Sequence, residues 1–497
     1  MTAHAARGLE SYEAVPYPGA AYPETHPDRV ATIATLFGLR PVPPDGCRVL
    51  ELGCGDGANL VPMALTLPRS RFVGVDVSPR AVQAARSHIA SLGLSNIEVH
   101  EFDLRDLDPA PNSFDYLIAH GLYSWVPQPV REKIFQLARQ CLTPEGVAYI
   151  SYNTYPGGHL RRMVREVMLY HARRAANPRQ RIALAREVLR GLIQALAGDD
   201  AYRRFLAAEA ERLEARADAH LYHDELADIY EPVYFEEFIR QARRHGLQYL
   251  GEANYFDMQV VPLPAAAQAL LDGVAGDVIR KEQYSDFMRC RCFRRTLLCH
   301  QEVVVDRAAA PERLADLYVS SAFAPTAPPV DLSPEAAEEF ADPRGRKLLT
   351  AHPISKAALA ELGPLWPAAT PFSELLERVR ARGVTADAHA LGEMLLQAYR
   401  AAVVELHVCP PRLAARPGPR PEASRWARRQ AAIQADVTTL RHTTARLEGL
   451  LERRLLLLLD GTRDHDALLR ELGIPGATLE QLQESLERLG RLGLLVC

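Results

Sequence analysis

The run Val49-Leu50-Glu51-Leu52-Gly53-Cys54-Gly55-Asp56-Gly57 is where this sequence could do chemistry on a small ligand. Its three glycines stand between an apolar, strand-like stretch and a helical one from Leu60 to Leu67. Glycine there lets the backbone approach a ligand where a Cβ would collide. A second apolar stretch, Arg71-Phe72-Val73-Gly74-Val75-Asp76, ends on a carboxylate. An acid at that point accepts hydrogen bonds from both hydroxyls of a ribose, so an adenosine moiety is expected between the two strand ends. Gly53-x-Gly55-x-x-Ala58 also fits the loose dinucleotide fingerprint, so the glycines alone leave two cofactor classes open.

Open parallel sheets bind ligands beyond the carboxyl ends of their strands. Two segments at such positions are unusual: Ala119-His120-Gly121-Leu122-Tyr123-Ser124-Trp125-Val126-Pro127 and Ser151-Tyr152-Asn153-Thr154-Tyr155-Pro156-Gly157-Gly158-His159. Aromatic rings with a few polar groups can surround a cation and an amine tail through cation–π attraction, and they can equally be loop packing. Trp125, Asn153 and Tyr155 are the candidates for holding a substrate.

The elements that must position these residues alternate, apolar strand with helix, from Arg48 to Ser151, the pattern of a parallel sheet flanked by helices. Strands are expected near 48–52, 71–76, 96–102, 114–119 and 146–152. Long Arg-rich helical stretches, Leu160 to Leu196 and Ala201 to Ala217, then interrupt the pattern and read as an insertion over about 156–230. It resumes with a helix over 236–245, a strand over 247–252 and a last strand over 296–305. The fold class is therefore α/β: a seven-stranded Rossmann-like sheet with a helical insertion over 41–306. Residues 1–40 form a Pro- and Tyr-rich arm and a first helix. Ala- and Pro-rich residues 307–346 read as a linker or a loosely packed strap. Short helices with brief apolar ends make 347–497 a mainly helical, winged-helix-like domain.

At 497 residues the chain exceeds what one core usually supports. Its net charge of -4 gives no general attraction to nucleic acid. The basic set Arg425, Arg428, Arg429, Arg441 and Arg446 reads as a solvated face rather than a DNA-binding one. No stretch reaches the roughly 18 apolar residues a membrane span needs, and the N-terminus lacks an apolar signal core, so a cytoplasmic protein is expected. Eight scattered cysteines suit reduced thiols, and Cys290-Arg291-Cys292 has no second ligand pair, so no metal is expected.

Glu51 ahead of the glycines, the added Gly57, and the acid closing Asn96-Ile97-Glu98-Val99-His100-Glu101-Phe102-Asp103 together resemble the class I S-adenosylmethionine-dependent methyltransferases. The resemblance implies that the turn of Gly53, Gly55 and Gly57 carries the methionine part, that Asp76 holds the ribose and that Asp103 meets the adenine amino group. It extends through Tyr22-Pro23-Glu24-Thr25-His26-Pro27-Asp28-Arg29, Tyr152 to His159, Glu231-Pro232-Val233-Tyr234-Phe235, His245 to Gly251, Phe293 to His300 and Asp460-Gly461-Thr462-Arg463. In these segments the chain is similar to a bacterial group with a methyltransferase domain, a methyltransferase regulatory domain and a winged-helix tail. Its best-known members methylate lysines of outer-membrane proteins. Gly158 departs from the bulky aromatic expected after Pro-Gly in that group. Asn153-Thr154-Tyr155-Pro156 does not match the polar-Pro-Pro-aromatic motif of amino-methylating nucleic-acid enzymes, because it follows strand five and its proline is displaced.

The implied reaction is transfer of a methyl group from S-adenosyl-L-methionine to a protein lysine by in-line displacement, in which geometry supplies most of the acceleration. A small-molecule acceptor, or a cofactor-sensing binding protein, are the other readings. The Arg-rich insertion favours a large, acidic or extended acceptor. A lysine amine with an unperturbed pKa near 10.4 needs roughly 4 kcal/mol to supply its neutral form at neutral pH. Tyr123, Tyr152 and His159, with His120 and Tyr155, are the candidate groups for easing that step. The arm is expected to cover the cofactor, with Tyr12, Tyr17 and His26 facing it and His120 beside it. The oligomeric state is left open, a dimer included.

Overall fold

In the computed structural model, residues 14–196, 198–258, 264–274, 276–476 and 478–497 are described. Seven strands form one sheet: Arg48–Leu52 (β1), Arg71–Asp76 (β2), Ile97–Glu101 (β3), Phe114–Ala119 (β4), Leu142–Asn153 (β5), Leu247–Glu252 (β6) and Phe293–His300 (β7). Their order is β3-β2-β1-β4-β5-β7-β6, with β1 to β5 parallel and β7 antiparallel to both neighbours. In β1, Val49, Leu50 and Leu52 are buried on alternate faces, which is why the strand reads as a continuous apolar run. From β1 the chain steps to β2 and β3 on one side and to β4 and β5 on the other. The carboxyl ends of β1 and β4 therefore open a crevice at the point where the winding reverses.

Two strands differ from expectation. β5 begins at Leu142, with a register shift opposite Phe114 and Tyr116. β7 ends at His300 instead of running to 305, because the carbonyls of His300, Gln301 and Val303 turn to accept from the side-chain amide of Gln248. The β6/β7 edge is held by Arg294, fully buried among Glu252 (2.6 Å), Glu282 (3.0 Å) and Asp286 (2.8 Å), with its guanidinium 3.9 Å from the Phe235 ring centroid.

The insertion is four helices, Gly157–Ala172, Pro178–Ala195, Ala201–Glu214 and Asp218–Glu225, around a small core that includes Val164, Met168, Leu189, Leu206 and Leu213. Much of its arginine is engaged internally: Arg186 with Asp218 (2.8 Å), Arg212 with Glu209 (2.7 Å), Arg216 with Asp224 (2.7 Å) and Arg161 with Glu225 (3.0 Å). The inference of an acidic acceptor from that arginine is thereby weakened.

Residues 307–346 are not a linker. Tyr318–Ser320 pairs with both Thr370–Pro371 and Glu405–His407, and Glu338–Ala341 pairs with Lys347–Thr350 and Ala324–Pro325. Leu314, Val319, Phe323 and Phe340 lie in the same hydrophobic core as Phe37 and Tyr149 from the methyltransferase-like half. Their apolar surface, hidden in the sequence among Ala and Pro, ties the segment down. Residues 423–495 have a separate core built from Arg425–Ala431, Leu450–Leu458, His465–Glu471, Leu479–Arg491 and the hairpin Asp436–Thr438/Thr444–Arg446. Leu455, Leu456 and Leu459 of the five-leucine run are buried in it. Among the described residues no helix is long and apolar enough to cross a membrane, and no three His, Cys, Asp or Glu side chains gather as metal ligands.

Candidate active site

At the crevice between β1 and β4 lies a cavity of about 560 Å³. The glycine turn forms its floor. Gly53 and Cys54 donate to the Val75 carbonyl (2.8 and 3.1 Å) and Gly55 donates to Asp76 Oδ2 (2.9 Å), which folds the turn across the end of β2. Gly55 has φ +56° and nothing within 4 Å of where a Cβ would sit, so bare backbone faces open space.

Glu51, Asp56 and Asp76 bring three carboxyl groups to this end. Glu51 is 3% exposed, and burial, with Asp76 and Asp56 adding repulsion, pushes its carboxyl from 4.5 up to about 8. Its Oε1 accepts from Asn59 Nδ2 at 2.6 Å, while its Oε2 is buried with no hydrogen-bond partner among the described residues. Burial also raises Asp76 and Asp56. An acidic, desolvated pocket with an orphaned carboxylate oxygen is built for a cation. Asp76 Oδ1 accepts from Ser78 N at 2.9 Å, and the Val77 N–H also donates to this carboxylate. At the far end Asp103, Phe102 and Leu104 line the wall. The Arg105 guanidinium binds both Asp103 oxygens and holds that carboxyl below the usual range.

The arm closes one side: Pro16, Tyr17, Gly19, Ala20 and Tyr22 line the cavity. Tyr22 stacks on His120 with ring centroids 3.7 Å apart, and His120 Nδ1 pairs with the Tyr149 hydroxyl at 2.9 Å. Burial, with Arg295 nearby, pushes His120 down to about 3, so it is neutral throughout the physiological range. Tyr17 packs edge-on against His220 and His223. A Cβ on Gly19 would stand 2.1 Å from Asp56 Oδ1 and 2.6 Å from the Ala58 Cβ. Gly19→Ala is therefore expected to lift the arm and weaken cofactor binding roughly tenfold, with the melting temperature unchanged; unaltered affinity by calorimetry would show that the arm's close approach is dispensable.

Glu51, Gly53, Gly55, Asp76, Asp103, His120, Tyr17 and Trp125 thus share one cavity, and the other candidate residues lie elsewhere. Gly57 is not among the lining residues; its φ of +77° shapes the turn, and a Cβ there would press on Val61 (3.1 Å) and Ala85 (3.2 Å). His26 caps the helix Pro27–Leu36 by accepting from Asp28 N, its ring against His442. Tyr123 and Tyr152 are core residues: both pack against Phe238, and their hydroxyls pair with Gln241 (2.7 Å) and Thr296 (3.1 Å). Asn153 is buried, its Oδ1 accepting from Arg161 at 2.9 Å. Tyr155 and His159 stack on each other (3.9 Å) beside Tyr234 in a separate patch, with His159 exposed. Gly158 follows from that packing, since a Cβ would stand 2.9 Å from Pro232. Tyr12 lies outside the described residues. Sequence reasoning missed Tyr22, Asn59 and Asp224 as parts of the site. Asp224 is carried in by the insertion, its carbonyl held by Arg161 (2.9 Å) and Arg165 (2.5 Å).

Three family models match the chain in succession: a methyltransferase domain over 43–203, a predicted methyltransferase regulatory domain over 217–300, and the PKMT C-terminal winged helix domain over 419–475. The uncharacterized protein RP789 of Rickettsia prowazekii is 41% identical over 297 residues, 60% of this chain and 54% of that one. The chain thus spans about half the length of that relative. RP028 of the same organism is 34% identical over 235 residues, 47% of this chain and 94% of that one. The structure of PKMT2 from Rickettsia typhi in complex with AdoHcy superposes with a TM-score of 0.86 at 27% identity, covering 97% of this chain and 100% of that one. With the three models met in chain order and one fold matched from end to end, the chain belongs to the class I S-adenosylmethionine-dependent methyltransferases that carry a regulatory domain and a PKMT winged-helix tail.

Proposed function

We propose that the protein transfers methyl groups from S-adenosylmethionine to lysine side chains of a protein substrate. The observation that carries the cofactor half is Glu51 Oε2, a buried carboxylate oxygen without a partner, in a cavity whose other acids lie where a nucleoside would be held. These residues fit the group: Glu51 would hold its ammonium, the Gly53 to Gly55 backbone its methionine part, Asp76 its ribose and the wall from Phe102 to Leu104 its adenine. When bound, S-adenosylmethionine supplies an electrophilic methyl on a sulfonium.

The chain's own residues arrange the acceptor. Tyr17 and Tyr22 line the cavity where an acceptor amine could lie against aromatic surface, Trp125 beside them is engaged by the Arg161 and Arg165 guanidiniums (5.5 and 5.6 Å from its ring centroid), and Asp224 is among the lining residues. Burial there eases loss of the ammonium proton, as does a sulfonium charge close by. His120, held near 3, is too weak a base to take that proton, and its role is to fix Tyr22 by stacking. Support for a lysine acceptor comes from the end-to-end likeness to PKMT2, read as a protein-lysine methyltransferase. We extend the reading to an outer-membrane or surface protein, methylated in the cytoplasm before export.

Binding a cation beside Glu51 requires its ionised form. Since its carboxyl sits at about 8, cofactor affinity is expected to fall as pH drops below that value, by up to about tenfold per unit. Glu51→Gln should flatten the profile; a wild-type affinity independent of pH between about 6 and about 9 would remove Glu51 from the cofactor site. The acceptor class is tested by incubating cell extract with methyl-labelled cofactor and separating it by size. Label in the macromolecular fraction, sensitive to protease, is the expected result, and label confined to small molecules would overturn the lysine reading.

A further inference from the structure

Asn59 is where three distant parts of the chain meet. It opens the helix Leu60–Thr66 directly after the glycine turn and is buried. Its amide has one possible orientation. The Tyr22 N–H can only donate and lies 3.0 Å from Oδ1, so the oxygen faces the arm and Nδ2 faces Glu51. His442, 383 residues away in the tail, places Nε2 2.9 Å from the same oxygen. With an acceptor in front of it, that ring nitrogen carries the proton.

His442 is held there against its own preference. It is 3% exposed with φ +58°, a backbone conformation that favours glycine, in the hairpin turn between Asp436–Thr438 and Thr444–Arg446. The turn is closed by Thr439 N to the Thr443 carbonyl (2.8 Å) and by the two threonine hydroxyls (2.7 Å). The tail is docked elsewhere too: Arg425 donates to the Leu92 carbonyl (2.9 Å), and Arg429 Nε donates to His88 Nδ1 (3.1 Å).

We propose that His442 is a positioning residue for cofactor binding: by donating to Asn59 Oδ1 it fixes the amide that holds Glu51, so the winged-helix tail completes the cofactor site of the methyltransferase domain. This rests on the cofactor reading given above. The chain of contacts runs from His442 to Asn59 to Glu51 Oε1, which orients the carboxyl group whose other oxygen, Oε2, is left for the ligand. The Asn59 bond favours ionised Glu51, opposing burial and the repulsion of Asp56 and Asp76; Cys54 and Tyr22 also face it, and His26 is the titratable group against His442. Without His442 the amide keeps only the Tyr22 N–H (3.0 Å) and the Thr25 hydroxyl (3.1 Å) on Oδ1, so it is held less firmly, Glu51 ionises at higher pH, and binding shifts with it.

The test is equilibrium binding of labelled S-adenosylmethionine to the full chain. His442→Gly suits the backbone at φ +58° while removing the donor. It should bind about fivefold to tenfold more weakly near pH 7 and lose clearly less, about twofold, near pH 9, where Glu51 is mostly ionised in wild type and about half ionised in the variant. His442→Gln, which keeps a donor at similar reach, should recover most of the affinity. The change in affinity between the two pH values is read on the folded fraction, so it stands even if His442→Gly is less stable. Unchanged binding, or an equal loss at both pH values, would overturn the inference while leaving the cofactor reading intact. A wild-type chain that binds no cofactor would overturn both.

Discussion

Asp76→Ala is expected to lower the affinity for S-adenosylmethionine by roughly a hundred- to a thousandfold. Asp76 closes β2 with Oδ2 on the Gly55 N–H and Oδ1 on the Ser78 N–H, each at 2.9 Å. The carboxylate therefore arrives already oriented at the cavity wall, where it can accept from ribose hydroxyls. Two charge-assisted hydrogen bonds of about 1.5–2 kcal/mol each give the stated range. Alanine also releases the Gly55 N–H, loosening the turn. Asp76→Asn keeps the shape but loses the charge, so it should fall between wild type and alanine. Calorimetric titration separates the three, and a wild-type affinity in Asp76→Ala would remove the ribose from the end of β2.

The largest effect on stability is expected at Arg294. Its guanidinium is 0% exposed and is the common partner of Glu252, Glu282 and Asp286. Arg294→Met fills much of the same space but leaves those carboxyls buried, with Arg291 on Asp286 (3.0 Å) as a remaining cation. Breaking such a network costs about 3–5 kcal/mol, against a total stability of about 5–15 kcal/mol. Burial already raises Glu282 and Asp286 above the usual carboxylate range, and losing the arginine raises them further. A carboxyl whose folded value is raised contributes stability that is present in acid and lost as pH rises through that value. The variant should therefore melt well below wild type near neutral pH and recover part of the gap in mild acid. Equal melting temperatures at neutral pH would mean that the network contributes nothing net.

What the sequence revealed was what short spacing can encode. β1, β2 and β4 are buried strands flanked by turns, and the glycine run and Asp76 sit within thirty residues of one another, so their geometry was readable locally. Tyr123 and Tyr152 show where that stops: an aromatic residue near a strand end looks the same whether it faces a ligand or Phe238. Tyr22 pairs with Asn59 across 37 residues and His442 with Asn59 across 383, separations at which no motif links them. Residues 307–346 were misread because composition outweighed pattern: Ala and Pro dominate, yet Leu314, Val319 and Phe340 are enough to anchor the segment in the core. In the insertion, the arginines were legible as charge but not as partners of Glu225, Asp218 and Asp224.

Mass spectrometry of candidate acceptor proteins after incubation with the enzyme and isotopically labelled S-adenosylmethionine, in parallel with Asp76→Ala, tests the proposed activity most directly. Labelled methyl groups on lysine side chains with wild type, and none with Asp76→Ala, is the predicted result. Cofactor bound by wild type with no labelled lysine in any acceptor, or equal labelling by the two proteins, would contradict it.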